Sequence, residues 1–239
     1  WRQATGTAND WFYVSYEWNS TNDDAIAVPA GDNNVDGTQH DIPARFQCKV
    51  CHEGISSRVL GFGAIQLDAP ATNVGETTLA SLVAANTLTV NPAAPTSGTT
   101  YFPIEGNDTQ VKAMGYVHAN CSHCHNPTSA VHDIVPLELR LLVGEVHDHT
   151  LTAAYRTAVG KRASEPLGLA QAQYHCPDQN NVPNAAECII APGNIADSVM
   201  AVRFDADPVT MIARHMPAAG SEMIDPTGDT TLHAWITTP

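Results

Sequence analysis

Residues 107–125 read NDTQVKAMGYVHANCSHCH, and this stretch sets the expected fold of the second half of the chain. Apolar side chains recur here at the three- and four-residue spacing of an amphipathic helix: Val111, Met114 and Val117. Asn107 or Asp108 can cap the start of such a helix, because these side chains accept hydrogen bonds from its first backbone N–H groups. The sequence therefore predicts a helix over 107–120 that leads directly into Cys121.

A Cys-x-x-Cys-His motif follows this predicted helix, and the chain contains two copies of the motif. The copies are Cys48-Lys49-Val50-Cys51-His52 and Cys121-Ser122-His123-Cys124-His125. In such a motif, two cysteines one helical turn apart form thioethers with the vinyl groups of haem, and the adjacent histidine binds the iron. We predict two covalently bound c-type haems, with His52 and His125 as proximal iron ligands.

A zinc site or a redox dithiol is the alternative interpretation of the four motif cysteines. A zinc site built from all four would leave both adjacent histidines unexplained. A thioredoxin-like dithiol would need a βαβ context, which the sequence does not indicate. Two copies of the motif, each with its own histidine, therefore favour haem.

Cys176 and Cys188, the remaining cysteines, lie in a segment rich in Pro and Asn that is typical of a loop. We predict a disulfide between them, with two free thiols as the alternative. A loop closed in this way contributes about 3 kcal/mol to stability in the chain-entropy model. Disulfides and c-type haem attachment both belong to oxidising compartments, so we expect a periplasmic or extracellular protein of the cell envelope.

The charge balance argues against some classes of partner. The 239 residues include 11 Lys and Arg against 25 Asp and Glu, which gives a formal net charge of -14. Such a charge argues against nucleic acids and anionic membranes as partners. No stretch approaches the roughly 18 consecutive apolar residues of a membrane span.

We expect a fold that is mainly α and irregular, with cytochrome c-like haem domains and a small β-rich N-terminal part. Aromatic and β-branched runs separated by turn residues indicate short strands before residue 45. Residues 1–106 are expected to form the β-like segment and the first haem region. Residues 107–239 are expected to form a class I cytochrome c-like domain with the second haem, in which a helix over 225–236 crosses the haem-bearing helix near Gly115.

An electron-carrying haem needs a sixth iron ligand, usually a thioether sulfur or an imidazole. For the second haem we predict Met216, because it follows a helix predicted from Ser198 and precedes the terminal helix. Met223 and His215 are the alternatives. Met216 therefore stands as the expected ligand opposite His125.

The first haem has no methionine close to Cys48 in sequence, so its sixth ligand is less constrained. The candidates are His40, Met114, His118, His123 and His132. We assign His118 to the first iron, because its spacing from Cys121 and His125 places it on the haem-facing stripe of its helix. A contact of His118 with a haem propionate, or a ligand from another subunit, is the alternative.

Several stretches outside the motifs carry a family resemblance. They are Trp11–Ala25 ahead of Ile42-Pro43, Leu60-Gly61-Phe62, Gln66-Leu67-Asp68, Tyr116–Pro127, Ala191–Ser198, Arg214–Gly220 and Asp225–Ile236. Together with the motifs they resemble bacterial dihaem c-type cytochromes of the cell envelope, over most of the chain. The resemblance implies that Met216 is the haem ligand, since relatives have a Met-Pro there. It also implies more chain upstream of Trp1, which would make this the C-terminal part of a longer protein.

We therefore expect a dihaem c-type cytochrome that transfers electrons between redox partners in the periplasm or outside the cell. Its partners would be redox proteins or other copies of itself, and a multi-subunit or filamentous conduit is one form that this function could take. The alternative is a dihaem peroxidase-like enzyme with one open haem site. The uncertain sixth ligand of the first haem keeps this alternative open.

Overall fold

The computed structural model describes residues 2–3, 11–71, 73–95, 98–169, 176, 187–207, 211, 214–218 and 221–239. The strands in these ranges are β1 (Arg2–Gln3), β2 (Trp11–Phe12), β3 (Tyr16–Trp18) and β4 (Ala25–Ala27). The α-helices are α1 (Arg45–His52), α2 (Ala64–Leu67), α3 (Leu79–Ala84), α4 (Asp108–Asn120), α5 (Ala153–Ala158), α6 (Val199–Phe204) and α7 (Pro226–Thr237). Short 3-10 turns occupy Val35–Gly37 and His149–Leu151.

The strands form two separate antiparallel ribbons near the N-terminus. Strand β1 pairs with β2, and β3 pairs with β4 so that Glu17 lies opposite Ile26. The prediction of short strands before residue 45 is thereby confirmed. Two-stranded ribbons of this length are marginal by themselves, so their stability depends on what they pack against.

Helix α4 begins with a capping box, as the sequence indicated. The Asn107 side chain accepts hydrogen bonds from the backbone N–H groups of Thr109 and Gln110, both at 3.0 Å. The Gln110 side chain in turn accepts the Asn107 N–H at 2.9 Å. These bonds satisfy backbone donors that a helix start leaves free, and the predicted helix over 107–120 is confirmed.

Helices α4 and α7 pack together where the Tyr116 side chain, next to Gly115 on α4, meets Gly228 of α7. A Cβ placed on Gly228 would overlap the Tyr116 side chain, whereas a Cβ on Gly115 would meet nothing within 4 Å. The Tyr116 hydroxyl donates to Asp225 at 3.1 Å, and Asp225 also caps α7 through the Thr227 N–H. Burial and this carboxylate both raise the pKa of Tyr116. The close approach therefore comes from a glycine on the terminal helix.

The hydrophobic core lies almost entirely in the second half of the chain. Met114 and Val117 of α4 and Trp235 of α7 are completely buried within it. In the described part of residues 1–106, by contrast, the buried hydrophobic residues are Tyr13, Ala44 and Leu79. The polypeptide of the first half therefore supplies little core of its own.

A single buried carboxylate anchors the segment between α2 and α4. Asp68 accepts hydrogen bonds from the backbone N–H groups of Tyr101 and Phe102, at 2.9 and 2.6 Å. These bonds hold Tyr101 and Phe102 at the end of α2. Helix α3 lies in the segment between α2 and these two residues. In the described part of the chain, no helix is both long enough and apolar enough to cross a membrane.

The helix crossing makes a prediction about two glycines. Gly228→Ala should lower the free energy of unfolding by about 1–3 kcal/mol, because the new methyl group forces α7 away from Tyr116. Gly115→Ala is the matched control on the partner helix and should be neutral or stabilise by about 0.5–1 kcal/mol. Urea denaturation followed by circular dichroism measures both. Equal stability of the two variants would contradict the crossing.

Candidate haem-attachment site

The first Cys-x-x-Cys-His motif forms the end of α1, a helix with no buried residue. Cys48 and Cys51 are one helical turn apart, as attachment to two vinyl groups requires. Two apolar side chains of α1 itself face outward, since Phe46 is 74% exposed and Val50 is 48% exposed. The helix that carries the motif therefore has apolar side chains that the polypeptide leaves uncovered.

His52 is oriented by a backbone carbonyl. Its Nδ1 lies 2.8 Å from the Arg58 carbonyl oxygen, and because a carbonyl only accepts, Nδ1 carries the proton. A hydrogen bond from one ring nitrogen to a carbonyl is the usual support of a metal-binding histidine, which binds through its other nitrogen. His52 is thus in the protonation state that iron ligation requires. The sequence gave no signal for Arg58 as the acceptor.

The second motif forms a tight turn after α4. Cys121 caps the helix through a 3.0 Å bond from its N–H to the Val117 carbonyl, and the His125 N–H donates to the Cys121 carbonyl at 2.9 Å. Buried Asn126 braces the turn, because its amide donates to the carbonyls of Ser122 and His123 at 2.8 and 3.0 Å. Asn126 is a positioning residue that the sequence analysis did not identify.

The two motifs meet at their second cysteines, although 73 residues separate them. Cys51 Sγ lies 2.9 Å from Cys124 Sγ. The contact extends beyond sulfur, because the Thr128 hydroxyl donates to the Gly54 carbonyl. All four motif cysteines are free thiols of intermediate burial. The structure therefore joins the two predicted attachment sites into one cluster.

The thiols of this cluster differ in acidity. A hydrogen bond from the Cys124 thiol lowers the pKa of Cys51 to about 7. The same bond raises the pKa of Cys124, and burial raises the pKa of Cys121 to about 12. Cys51 is thus the most readily ionised of these three thiols, and the most nucleophilic at neutral pH.

His118, the predicted ligand of the first iron, is buried and already hydrogen-bonded. Its Nδ1 accepts the Leu141 backbone N–H at 3.1 Å, so the neutral ring carries its proton on Nε2. Nε2 faces α2, where a Cβ on Gly63 would lie 3.6 Å away. Iron ligation through Nε2 would require His118 to lose the bond from Leu141. His118 therefore stays a prediction from the sequence, and ligation through Nε2 would cost this hydrogen bond.

The other candidates for the first iron lie in different surroundings. Met114 is buried in the core, where its sulfur accepts the Thr152 hydroxyl at 3.7 Å. His40 and His132 contact carboxylates, at 3.3 Å from Glu222 and at 3.2 Å from Glu138.

His123 is the candidate whose environment links it to the first motif. Burial lowers its pKa, and its carbonyl lies at the end of α1, where a Cβ on Gly54 would be 3.2 Å away. Its Nδ1 is buried and has no hydrogen-bond partner among the described residues. His123 therefore joins His118 as a structural candidate for the first iron.

The loop predicted to hold the second iron's ligand packs against the end of α6. The Met216 N–H donates to the Arg203 carbonyl at 3.0 Å, and Met216 is half-buried. Burial lowers the pKa of His125 to about 4, and the positive charge of Arg203 contributes to this shift. Met223, the alternative methionine, is 76% exposed. The structure therefore places residues 214–218 against the end of α6.

Cys176 and Cys188 form a disulfide, the pairing that the sequence analysis predicted. Both cysteines are buried, and residues 177–186 between them lie outside the described part of the chain. The Cys188 carbonyl accepts the Val199 N–H at 2.9 Å. The disulfide thus adjoins the first residue of α6.

Comparison with protein-family models, with curated proteins and with solved structures finds no significant match. We therefore infer the function from the two motifs and from the geometry that brings them together.

The contact between the motifs predicts a specific cross-link in protein prepared without haem. Diamide, which oxidises two thiols to a disulfide, should join Cys51 to Cys124, because their sulfurs are 2.9 Å apart and Cys51 ionises near neutral pH. Peptide mapping by mass spectrometry identifies the product. A Cys48→Ser/Cys121→Ser variant should give the same cross-link. Pairing within either motif as the main product would refute the contact.

Buried His118 predicts a loss of stability in acid. Its pKa is lowered from 6.5 to about 4, mainly by burial, so the unfolded chain binds more protons between these values. The stabilisation is complete above about pH 6.5 and declines as the pH falls towards 4, by up to about 3 kcal/mol.

His118→Asn tests this, because an amide oxygen can still accept the Leu141 N–H but does not titrate. Thermal unfolding at pH 7 and pH 4.5 should show a smaller acid loss in the variant. The spectrum of haem-loaded protein should stay unchanged. Loss of a low-spin haem signal would instead establish His118 as an iron ligand.

Proposed function

We propose that this chain is a dihaem c-type cytochrome that transfers electrons between redox partners in the periplasm or outside the cell. The observation that carries the proposal is the contact between the two Cys-x-x-Cys-His motifs, whose second cysteines lie 2.9 Å apart. Each of these sulfurs would be bonded to a haem edge. Two haems attached there would be neighbours, which is what electron transfer between them requires.

The donor set fits haem better than the alternatives. Each motif offers two free thiols one turn apart and an adjacent histidine, and Arg58 holds His52 in the metal-binding tautomer. A zinc site of four cysteines would need the four sulfurs to converge. Among the described residues, the set of His, Cys and carboxylate groups close enough to share one ion contains no motif cysteine.

The distribution of apolar residues also supports haem. Ten large hydrophobic residues are exposed between Phe12 and Val90, while the described part of residues 1–106 buries Tyr13, Ala44 and Leu79. Two of the ten, Phe46 and Val50, lie on α1 itself, and a porphyrin attached at Cys48 and Cys51 would lie beside them.

In this proposal the chain positions the haems, and the haem irons supply the one-electron chemistry. Cys48, Cys51, Cys121 and Cys124 would hold the porphyrins through thioethers. His52 and His125 would bind the irons from the proximal side. The protein would act as a carrier without a substrate.

The charge of the chain indicates what partners it would meet. With 25 acidic against 11 basic residues, its surface would attract a basic redox protein and accelerate the encounter. This attraction would weaken with salt. The disulfide at Cys176 and Cys188 supports an oxidising compartment, in keeping with c-type haem attachment.

The test is to produce the chain in a host that attaches c-type haem in its periplasm and to count haems by mass spectrometry and haemochrome assay. Wild-type protein should carry two. Cys48→Ala/Cys51→Ala and Cys121→Ala/Cys124→Ala should each carry one. Cys176→Ala/Cys188→Ala is the matched control and should keep both. A wild-type chain without covalent haem would end the proposal.

The loaded protein should also exchange electrons reversibly at both haems, and should reduce a basic cytochrome at a rate that falls with ionic strength. Near-infrared magnetic circular dichroism of the oxidised protein should show two six-coordinate irons. A high-spin haem that binds cyanide and turns over peroxide would instead establish the peroxidase-like function.

A further inference from the structure

The imidazole of His215 is buried, and only one of its nitrogens has a partner. Nδ1 lies 2.8 Å from the Ala206 carbonyl oxygen, so Nδ1 carries the proton and donates it. Nε2 is also buried, and has no hydrogen-bond partner among the described residues. The side chain as a whole is 4% exposed, so water does not satisfy it. A buried nitrogen with a free lone pair is an uncommon feature that calls for an explanation.

This arrangement is the one that a metal-binding histidine adopts. Ligation uses one ring nitrogen, and the other usually donates to a carbonyl or carboxylate that fixes the ring and its tautomer. His52, the proximal ligand in our proposal, makes the same bond to Arg58, also at 2.8 Å. His215 and His52 thus share a pattern that the exposed histidine His40, paired with a carboxylate, does not show.

The position of His215 matches the second haem. Its N–H donates to the Met211 carbonyl at 3.1 Å, and the next residue donates to Arg203 at 3.0 Å. These two bonds hold the backbone at His215 and at Met216. Next to Arg203, the ring of Phe204 at the end of α6 lies 6.2 Å from the ring of Tyr116 in α4. The segment that carries His215 therefore lies at the end of α6 that packs on α4, the helix that leads into the attachment motif of the second haem.

We propose that His215, and not Met216, is the sixth ligand of the iron of the haem attached at Cys121 and Cys124. This inference rests on the proposed function, because it assigns a ligand to one of its haems. It gives that iron two imidazole ligands, His125 and His215. Methionine ligation raises the potential of a c-type haem, so a second imidazole would hold this haem at a lower potential than Met216 would.

The first experiment uses wild-type protein that carries two haems by mass, so that failed attachment is recognised beforehand as failure of the proposed function. Near-infrared magnetic circular dichroism distinguishes imidazole from thioether ligation of ferric haem. We expect imidazole–imidazole bands for the second haem and no sulfur-to-iron charge-transfer band. A sulfur-to-iron band that disappears in Met216→Leu would overturn the proposal.

Two variants complete the test. His215→Ala should convert one of the two haems from low-spin to high-spin, and added imidazole should restore the low-spin signal in the same protein. Met216→Leu is the matched control in the same loop and should keep the wild-type spectrum. Unchanged ligation in His215→Ala would overturn the proposal, and so would rescue by a thioether but not by imidazole. Because the wild-type and Met216→Leu spectra suffice to decide, poor folding of His215→Ala does not weaken the test.

Discussion

The packing of α4 against its surroundings is the constraint on which the arrangement of this protein depends. A capping box at Asn107 fixes the start of the helix, and the absence of a side chain at Gly228 lets α7 cross at its middle. The helix end then delivers Cys121 and the second motif into a turn held by Asn126. Since the first motif contacts this turn through Cys124 and Thr128, the position of α1 also follows from α4.

The two halves of the chain differ in what stabilises them. The second half buries Met114, Val117 and Trp235 in a continuous core. The first half consists of short ribbons and short helices with few buried apolar residues, which is too little burial to offset the entropy of ordering a chain of that length. Contacts with the second motif offset part of this entropy. Covalently attached porphyrins would bury further apolar surface and offset the remainder. In this view the haems are structural as well as redox groups.

Local patterns predicted the local structure well. The spacing of apolar residues and the cap at Asn107 predicted α4, and aromatic runs predicted the strands, because these signals act within a few residues. The disulfide was predictable because Cys176 and Cys188 are the two cysteines outside the motifs and are 12 residues apart. The glycine on which the Tyr116 side chain packs was not predictable, since Gly115 and Gly228 look alike in sequence.

The candidate site also combines features that local sequence predicts with features that depend on tertiary packing. Motif spacing is what predicts the attachment cysteines and the proximal histidines, because bond lengths to one porphyrin would fix that spacing. The contact between Cys51 and Cys124 spans 73 residues and follows only from tertiary packing. The Met-Pro pattern favoured Met216, while the feature that distinguishes His215 is a bond to the carbonyl of Ala206, which any residue could provide. Because every residue has a backbone carbonyl, the sequence does not indicate which carbonyl accepts a given hydrogen bond.

The contact between the motifs has a consequence for the order of assembly. Two thiols at 2.9 Å, one of them ionised near neutral pH, oxidise readily in the same compartments that attach c-type haem. A disulfide between Cys51 and Cys124 would remove one thiol from each motif and block both attachments. If the chain carries two haems, haem would therefore have to reach the cysteines before the motifs pack together.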